Sequence, residues 1–193
     1  MKIVVSRFNE TIEWTKQLEN VIIFNKGEPL SHTKQMGNVG REGHTFYKYI
    51  YDNYDSLDDL TAFLQGNPFD HCRNVIQQIK SLKEPIDFMF LSDYIISATI
   101  SNCRRHDNIP LQNVYNQLFT DNHTDTPIHF GAGGQFIVSK KFILSQPRCF
   151  YLKIVNLLNK SINPIEGFVI ERFHRIIFDK RYKERQELLH VRL

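Results

Sequence analysis

Gly40-Arg41-Glu42-Gly43-His44-Thr45, with the run it leads to, Leu60-Thr61-Ala62-Phe63-Leu64-Gln65-Gly66-Asn67-Pro68-Phe69-Asp70-His71, decides how this chain folds. A glycine-broken polar turn, a helix, an apolar strand and a polar cluster at the strand's C-terminal end form the order in which an open α/β sheet builds a ligand site. Between the two stretches, Phe46, Tyr47, Ile50 and Tyr54 recur at helical spacing, which predicts a helix over 44–54 with one stripe turned inward. Tyr47, Tyr49, Tyr51 and Tyr54 read as packing residues whose hydroxyls reach water. Leu60 to Leu64 then reads as a buried strand.

Outward from this centre the same alternation continues. Ile3-Val4-Val5 is a β-branched run that exits into the polar loop Arg7-Phe8-Asn9-Glu10. A helix from Thr11 to Leu18 and a strand over Val21-Ile22-Ile23-Phe24 complete a βαβ unit whose crossover is close to the minimum for parallel pairing. Downstream, helices are expected over 72–82, around Val114 to Phe119, and over 140–145, 150–158 and 167–178, with strands over 88–91 and 135–138. Strands alternating with helices predict an α/β fold, a three-layer α/β/α sandwich with a mixed, mostly parallel central sheet. Residues 1–193 are read as one domain, since no Pro/Gly-rich linker, repeat or low-complexity segment divides them.

Composition narrows the function classes. Apolar runs such as Phe88-Met89-Phe90-Leu91 are far too short to cross a bilayer, and the chain enters a strand with no cationic leader, so a soluble, cytoplasmic protein is expected. Cys72, Cys103 and Cys149 are odd in number and widely spaced, which suits reduced thiols rather than a disulfide framework or a zinc knuckle. A net charge of +3 gives no strong polyanion signature. Basic residues cluster at Arg104-Arg105-His106 and from Asp179 to Arg185, but Glu184 and Glu187 interrupt the second cluster and no aromatic interleaving suits base stacking, so nucleic acid is not an expected partner.

Val5-Ser6-Arg7-Phe8-Asn9-Glu10 with Trp14, Asn25-Lys26-Gly27, Gly40-Arg41-Glu42, the run from Phe63 to His71, Gly134-Gln135-Phe136-Ile137-Val138-Ser139 and Glu171-Arg172-Phe173-His174 together resemble the family of unknown function DUF3431 over nearly the whole chain. The same order of elements looks like the GT-A glycosyltransferase fold, including small transferases of large algal viruses. That likeness implies a transferase moving a sugar from a nucleotide sugar, of the UDP type, to an acceptor hydroxyl on a glycan or glycoconjugate, assisted by Mn2+ or Mg2+. In such a fold an Asn-Glu-type turn after the first strand lies near the nucleotide base, and Asn9 and Glu10 take that place here. A later strand ends in an Asp-x-Asp metal motif. Here Gln65 and Asn67 stand where the two aspartates are expected, and neutral amides bind a divalent cation less well than carboxylates, so Asp70, His71 and His174 become the metal candidates.

Sugar transfer also needs positive charge against the departing diphosphate and a base for the acceptor proton. Arg7 and Arg41, each in a loop beside an element end, are candidates for forked phosphate contacts. Glu171 is the expected base, with Asp93 in reserve as base or metal ligand, while Gly134 and Gln135 are expected to face the acceptor or sugar. Each has a structural alternative. Arg41 and Glu42 pair within their turn, Asp70 caps the helix beginning near His71, and Glu171 belongs to an ion-paired helix surface with Arg172 and Arg175. Gly131-Ala132-Gly133-Gly134 lacks the Lys-Ser/Thr of a P-loop and precedes a strand, so it is read as a close-packed turn. His106, His123 and His129 lack metal spacing, no Gly-x-Ser-x-Gly elbow occurs, and of the three cysteines only Cys72, beside His71, has a convincing basic neighbour at catalytic spacing. Two further classes stay open, a non-catalytic nucleotide- or sugar-binding module of the same fold and a glycoside hydrolase working through two carboxylates.

Overall fold

The computed structural model describes residues 1–83, 85–101, 103, 108–120 and 127–179. It begins with β1 (Lys2–Arg7), a 3-10 turn (Glu13–Gln17), β2 (Val21–Asn25), β3 (Lys34–Gln35) and α1 (Arg41–Asp52). There follow β4 (Leu60–Gln65), a 3-10 turn (Pro68–Asp70), α2 (Val75–Lys80), β5 (Phe88–Phe90), β6 (Ile95–Thr99) and α3 (Leu111–Leu118). β7 (Pro127–Gly131), β8 (Phe136–Ser139), α4 (Lys140–Ile143), α5 (Arg148–Leu158) and α6 (Ile165–Phe178) complete it.

Six strands form one mixed sheet in the order β3-β2-β1-β4-β8-β5. The first four run parallel, and β8 lies antiparallel to both β4 and β5, so the sheet is parallel on one side and antiparallel on the other. β6 and β7 form a separate antiparallel ribbon.

The central strands β1 and β4 are buried on both faces, which is why their sequences are nearly continuous apolar runs. Alternate side chains enter two cores. Val4, Phe63, Phe136 and Val138 point to the face covered by α1, α3, α5 and α6, while Ile3, Val5, Ala62, Leu64 and Ile137 point to the face covered by Trp14 of the first 3-10 turn and by α2. The sheet therefore has helical cover on both sides, as the strand and helix alternation predicts.

Three local readings are corrected. The helix expected over 44–54 begins three residues earlier: Gly40, at φ +64°, accepts the first helical hydrogen bond from the His44 amide, while Arg41, at φ +52°, donates its own amide to the carbonyl of Ile162. A Cβ on Gly40 would stand 2.5 Å from the Cβ of His44 and 2.7 Å from the carbonyl oxygen of Leu158, so close packing of α1 on α5 requires glycine here. Tyr47 and Tyr49 are buried rather than water-facing, and the Tyr47 hydroxyl lies 2.7 Å from Nδ1 of His174. The segment expected to be helical over 11–18 forms only the 3-10 turn at 13–17. The basic clusters at 104–106 and 180–185, with His123, fall outside the described residues.

Candidate functional site

The chain leaves β1 toward β2 on one side and reaches β4 on the other, so the C-terminal ends of β1 and β4 flank the point where the strand order reverses. A cleft of about 520 Å³ opens there. Its walls come from the end of β1, the residue after β2, the start of α1, the turn after β4 and Asn163 before α6.

Lys26, Arg41 and Glu42 supply charge to the cleft. The Lys26 ammonium donates to the carbonyl oxygens of Val39, at 2.6 Å, and Arg41, fixing the segment that leads into α1 and retaining one N–H. Burial lowers its pKa to about 8, an effect that the nearby Glu42 carboxylate opposes. Arg41 stacks its guanidinium 4.4 Å above the centre of the Phe168 ring, and its Nε lies 3.7 Å from Glu42. The pairing of Arg41 with Glu42 within their turn, read from sequence, is present.

Glu171 adjoins this charged corner from α6. Its Oε1 accepts a 2.8 Å hydrogen bond from the Gly133 amide, and its Oε2 lies 3.8 Å from Arg172. Burial raises its pKa, and Glu42 raises it further, against opposing effects of Arg172, the Gly133 N–H and Arg41. Gly134, at φ +65°, is the meeting point: a Cβ built on it would stand 3.4 Å from Cγ of Glu171, 3.4 Å from Nε2 of His174 and 3.8 Å from Oε1 of Glu42. The segments expected to carry donor chemistry and base chemistry are thus brought side by side.

Other expected site residues have structural partners. Arg7 spends Nε on the carbonyl of Glu10 and Nη1 on Phe8 and Asn25, bracing the loop after β1 and leaving Nη2. Asn9 accepts from the Glu28 amide at 2.9 Å, and Glu10 accepts from the Phe8 amide at 2.7 Å. Gln135 is fully buried and uses both ends of its amide: Oε1 accepts from the Gln65 amide and Nε2 donates to the Pro68 carbonyl, each at 3.1 Å. Gln65, Asn67 and Asp70 line the cleft, with Asp70 exposed at its rim. Asp93 lies apart and exposed, where its carboxylate accepts from the Arg73 amide at 3.1 Å while its own amide donates to His71.

The chain matches the family described as "Protein of unknown function (DUF3431)" over residues 3–86 and 91–188. It belongs to that family. Comparisons with curated proteins and with solved structures gave no match. The DUF3431 match spans every wall of the cleft and Glu171.

Within this DUF3431 fold the three metal candidates do not assemble. His174 is buried, its pKa lowered to about 3 by burial, with Nδ1 engaged by Tyr47 and its ring packed 4.5 Å from that of Phe136. His71 lies under Gly133, whose added Cβ would sit 2.4 Å from its ring. Among the described residues no three His, Cys, Asp or Glu side chains form a group able to hold a metal. Among those residues, too, no helix is long and apolar enough to cross a membrane, and none of the three cysteines is in a disulfide.

Two functional candidates carry little weight in sequence alone. Lys26 follows the end of β2, and only its place beyond a strand's C-terminus marks it. Glu42 looks like one half of a local ion pair. Its second neighbour, Glu171, is 129 positions away and becomes visible only when α6 packs beside α1.

Proposed function

We propose that this protein is a GT-A-like glycosyltransferase that moves a sugar from a nucleotide sugar, of UDP type, to an acceptor hydroxyl in the cytoplasm. The observation that carries the reading is the switch-point cleft lined by Lys26, Arg41 and Glu42, with the half-buried base candidate Glu171 adjoining Glu42.

In this reading the donor diphosphate occupies the cleft, with Arg41, the remaining Lys26 N–H and Nη2 of Arg7 opposing its charge. The acceptor oxygen forms a bond to the anomeric carbon as the bond from that carbon to the diphosphate breaks. The electron pair leaves with the nucleoside diphosphate, and the acceptor proton passes to the Glu171 carboxylate. A carboxylate made more basic by burial is better matched to that task near neutral pH. Gln135 supports the turn after β4 rather than touching sugar.

The GT-A likeness also implies Mn2+ or Mg2+. Gln65 and Asn67 provide no carboxylate, and Asp70, His71 and His174 do not form a ligand set. These residues do not fit a metal held by the protein alone, and no step is assigned to one. That same amide pair favours a second reading, a nucleotide-binding module without turnover.

Thermal melting with UDP and other nucleoside diphosphates, with and without Mn2+, tests the donor site. Ligand at 100 times its Kd stabilises by about 2.7 kcal/mol, so saturation gives a clear upward shift. No shift with any nucleoside diphosphate rejects the donor site. Binding without sugar transfer or donor hydrolysis across a nucleotide-sugar panel selects the module. In the enzyme, Glu171→Gln lowers turnover by about 10²-fold or more.

A further inference from the structure

Behind the cleft, on the other side of residues 36–41, lies a separate cavity of about 600 Å³ between the edge strand β3, α1 and α5. Gly37 and Val39 line it, whereas their neighbours Asn38 and Arg41 line the cleft. Phe24, Leu152 and Val155 give it an apolar floor.

Its polar groups are unevenly satisfied. Lys48 places its ammonium 2.9 and 3.1 Å from the two Asp52 oxygens, so that pair is internally neutral. Lys34, exposed on β3, makes no ion pair among the described residues and lies 6.0 Å from the Phe24 ring centre, leaving its charge open to a partner. His44 is 5% exposed, lines the cavity, and its Nδ1 is buried with no hydrogen-bond partner. A buried polar nitrogen with no partner in the protein is uncommon and calls for a group from outside the chain. Burial and the charges of Lys26 and Lys48 lower the His44 pKa to about 4, against the opposing charge of Asp52, so the ring is neutral and offers one donor and one acceptor.

We propose that this cavity is a second ligand site, taking a small organic monoanion with an apolar ring or branched body, its anionic head at Lys34 and a polar atom at His44. The apolar floor receives the body, and the one uncompensated cation at the rim receives the charge. The site stands independently of any sugar transfer in the cleft.

6-Hydroxynaphthalene-2-carboxylate, whose ring hydroxyl supplies the polar atom for His44, serves as the probe, with 6-hydroxynaphthalene-2-carboxamide as its neutral counterpart. Titration of the full chain is followed through the ring 15N signals of His44, with UDP melting run in parallel as a separate measure of the cleft. Expected is saturable movement of the His44 signals by the acid, with an affinity at the millimolar level usual for a fragment of this size, and weaker binding of the amide by about threefold, the worth of one exposed charge contact. Lys34→Gln removes that preference for the acid. Gly37→Phe abolishes binding of both compounds by filling the cavity; a Cβ at Gly37 meets no atom within 4 Å, and a melting temperature equal to wild type verifies that the variant keeps the fold. The proposal is overturned if the acid causes no saturable change at about 5 mM, if the amide binds as well as the acid, or if binding leaves the His44 signals unmoved. Binding that survives Gly37→Phe overturns it equally.

Discussion

Replacing Gln135 with Met separates a staple from a substrate contact. The side chain is fully buried, and its amide joins the residue before β8 to the end of β4 and to Pro68, just beyond the last paired residues, Phe63 and Phe136. It takes the place of the ladder bonds that the sheet cannot continue. Met keeps the length of the chain and removes both hydrogen bonds, leaving the Gln65 amide and the Pro68 carbonyl without them. A buried group left unpaired costs about 1–3 kcal/mol. Pro68 is buried and Gln65 half-buried, so water recovers part of the second loss, and the expected total is about 3 kcal/mol. With an unfolding entropy of about 2.1 cal/mol/K per residue, the 193 residues correspond to a fall in Tm of about 7 °C. Urea unfolding at equilibrium gives the free energy, and amide hydrogen exchange at Gln65 locates it. Gln135→Glu can replace the donor to Pro68 only as the protonated acid, so its loss is smaller at acid pH than at neutral pH, where a carboxylate would face the carbonyl. A loss below about 0.5 kcal/mol with the Gln65 amide still protected refutes the staple and returns Gln135 to the set of ligand contacts.

Two further outcomes are expected. Tyr47→Phe removes the hydroxyl 2.7 Å from His174 Nδ1 in a fully buried setting, and chemical denaturation should show a loss of about 1–2 kcal/mol; an unchanged midpoint would count against that bond. For Glu171, whose folded pKa is raised, the contribution to stability is fully present below the unfolded value of 4.5 and is lost as pH rises through the folded value. Melting curves should therefore show wild type losing stability relative to Glu171→Gln as pH climbs from 4.5, and a relative gain would reverse the assigned sign.

The sequence makes the central strands plain because β1 and β4 are buried on both faces, so their apolar runs need no knowledge of their neighbours. β3 is two exposed polar residues, Lys34 and Gln35, and carries no pattern at all; only its pairing with Phe24 and Asn25 makes it a strand. β6 is similarly masked, since Ile95 is 54% exposed and the ribbon it forms with β7 stands apart from the main sheet. At the candidate site, residue types were legible and their partners were not. Arg7 and Gln135 look like ligand contacts until the folded chain brings Asn25 and Gln65 to them, across 18 and 70 positions. The exchange runs the other way for Glu42, which reads as a local partner of Arg41 and gains its second role only beside Glu171.

Gly134 shows why fold and chemistry are hard to separate at this site. Its φ of +65° favours glycine for the turn between β7 and β8, and its missing Cβ leaves the space in which Glu171, His174 and Glu42 approach one another. The preceding amide, Gly133, donates to Glu171 and opposes the effect of burial on its proton affinity. One short turn thus sets both the position of the carboxylate and part of its basicity, while α1 brings Glu42 to push that basicity up. A substitution in the turn would act on the carboxylate through backbone geometry as well as through the size of the new side chain. The chemical character of Glu171 is therefore a property of the β7–β8 junction and of α1 as much as of the helix that carries it.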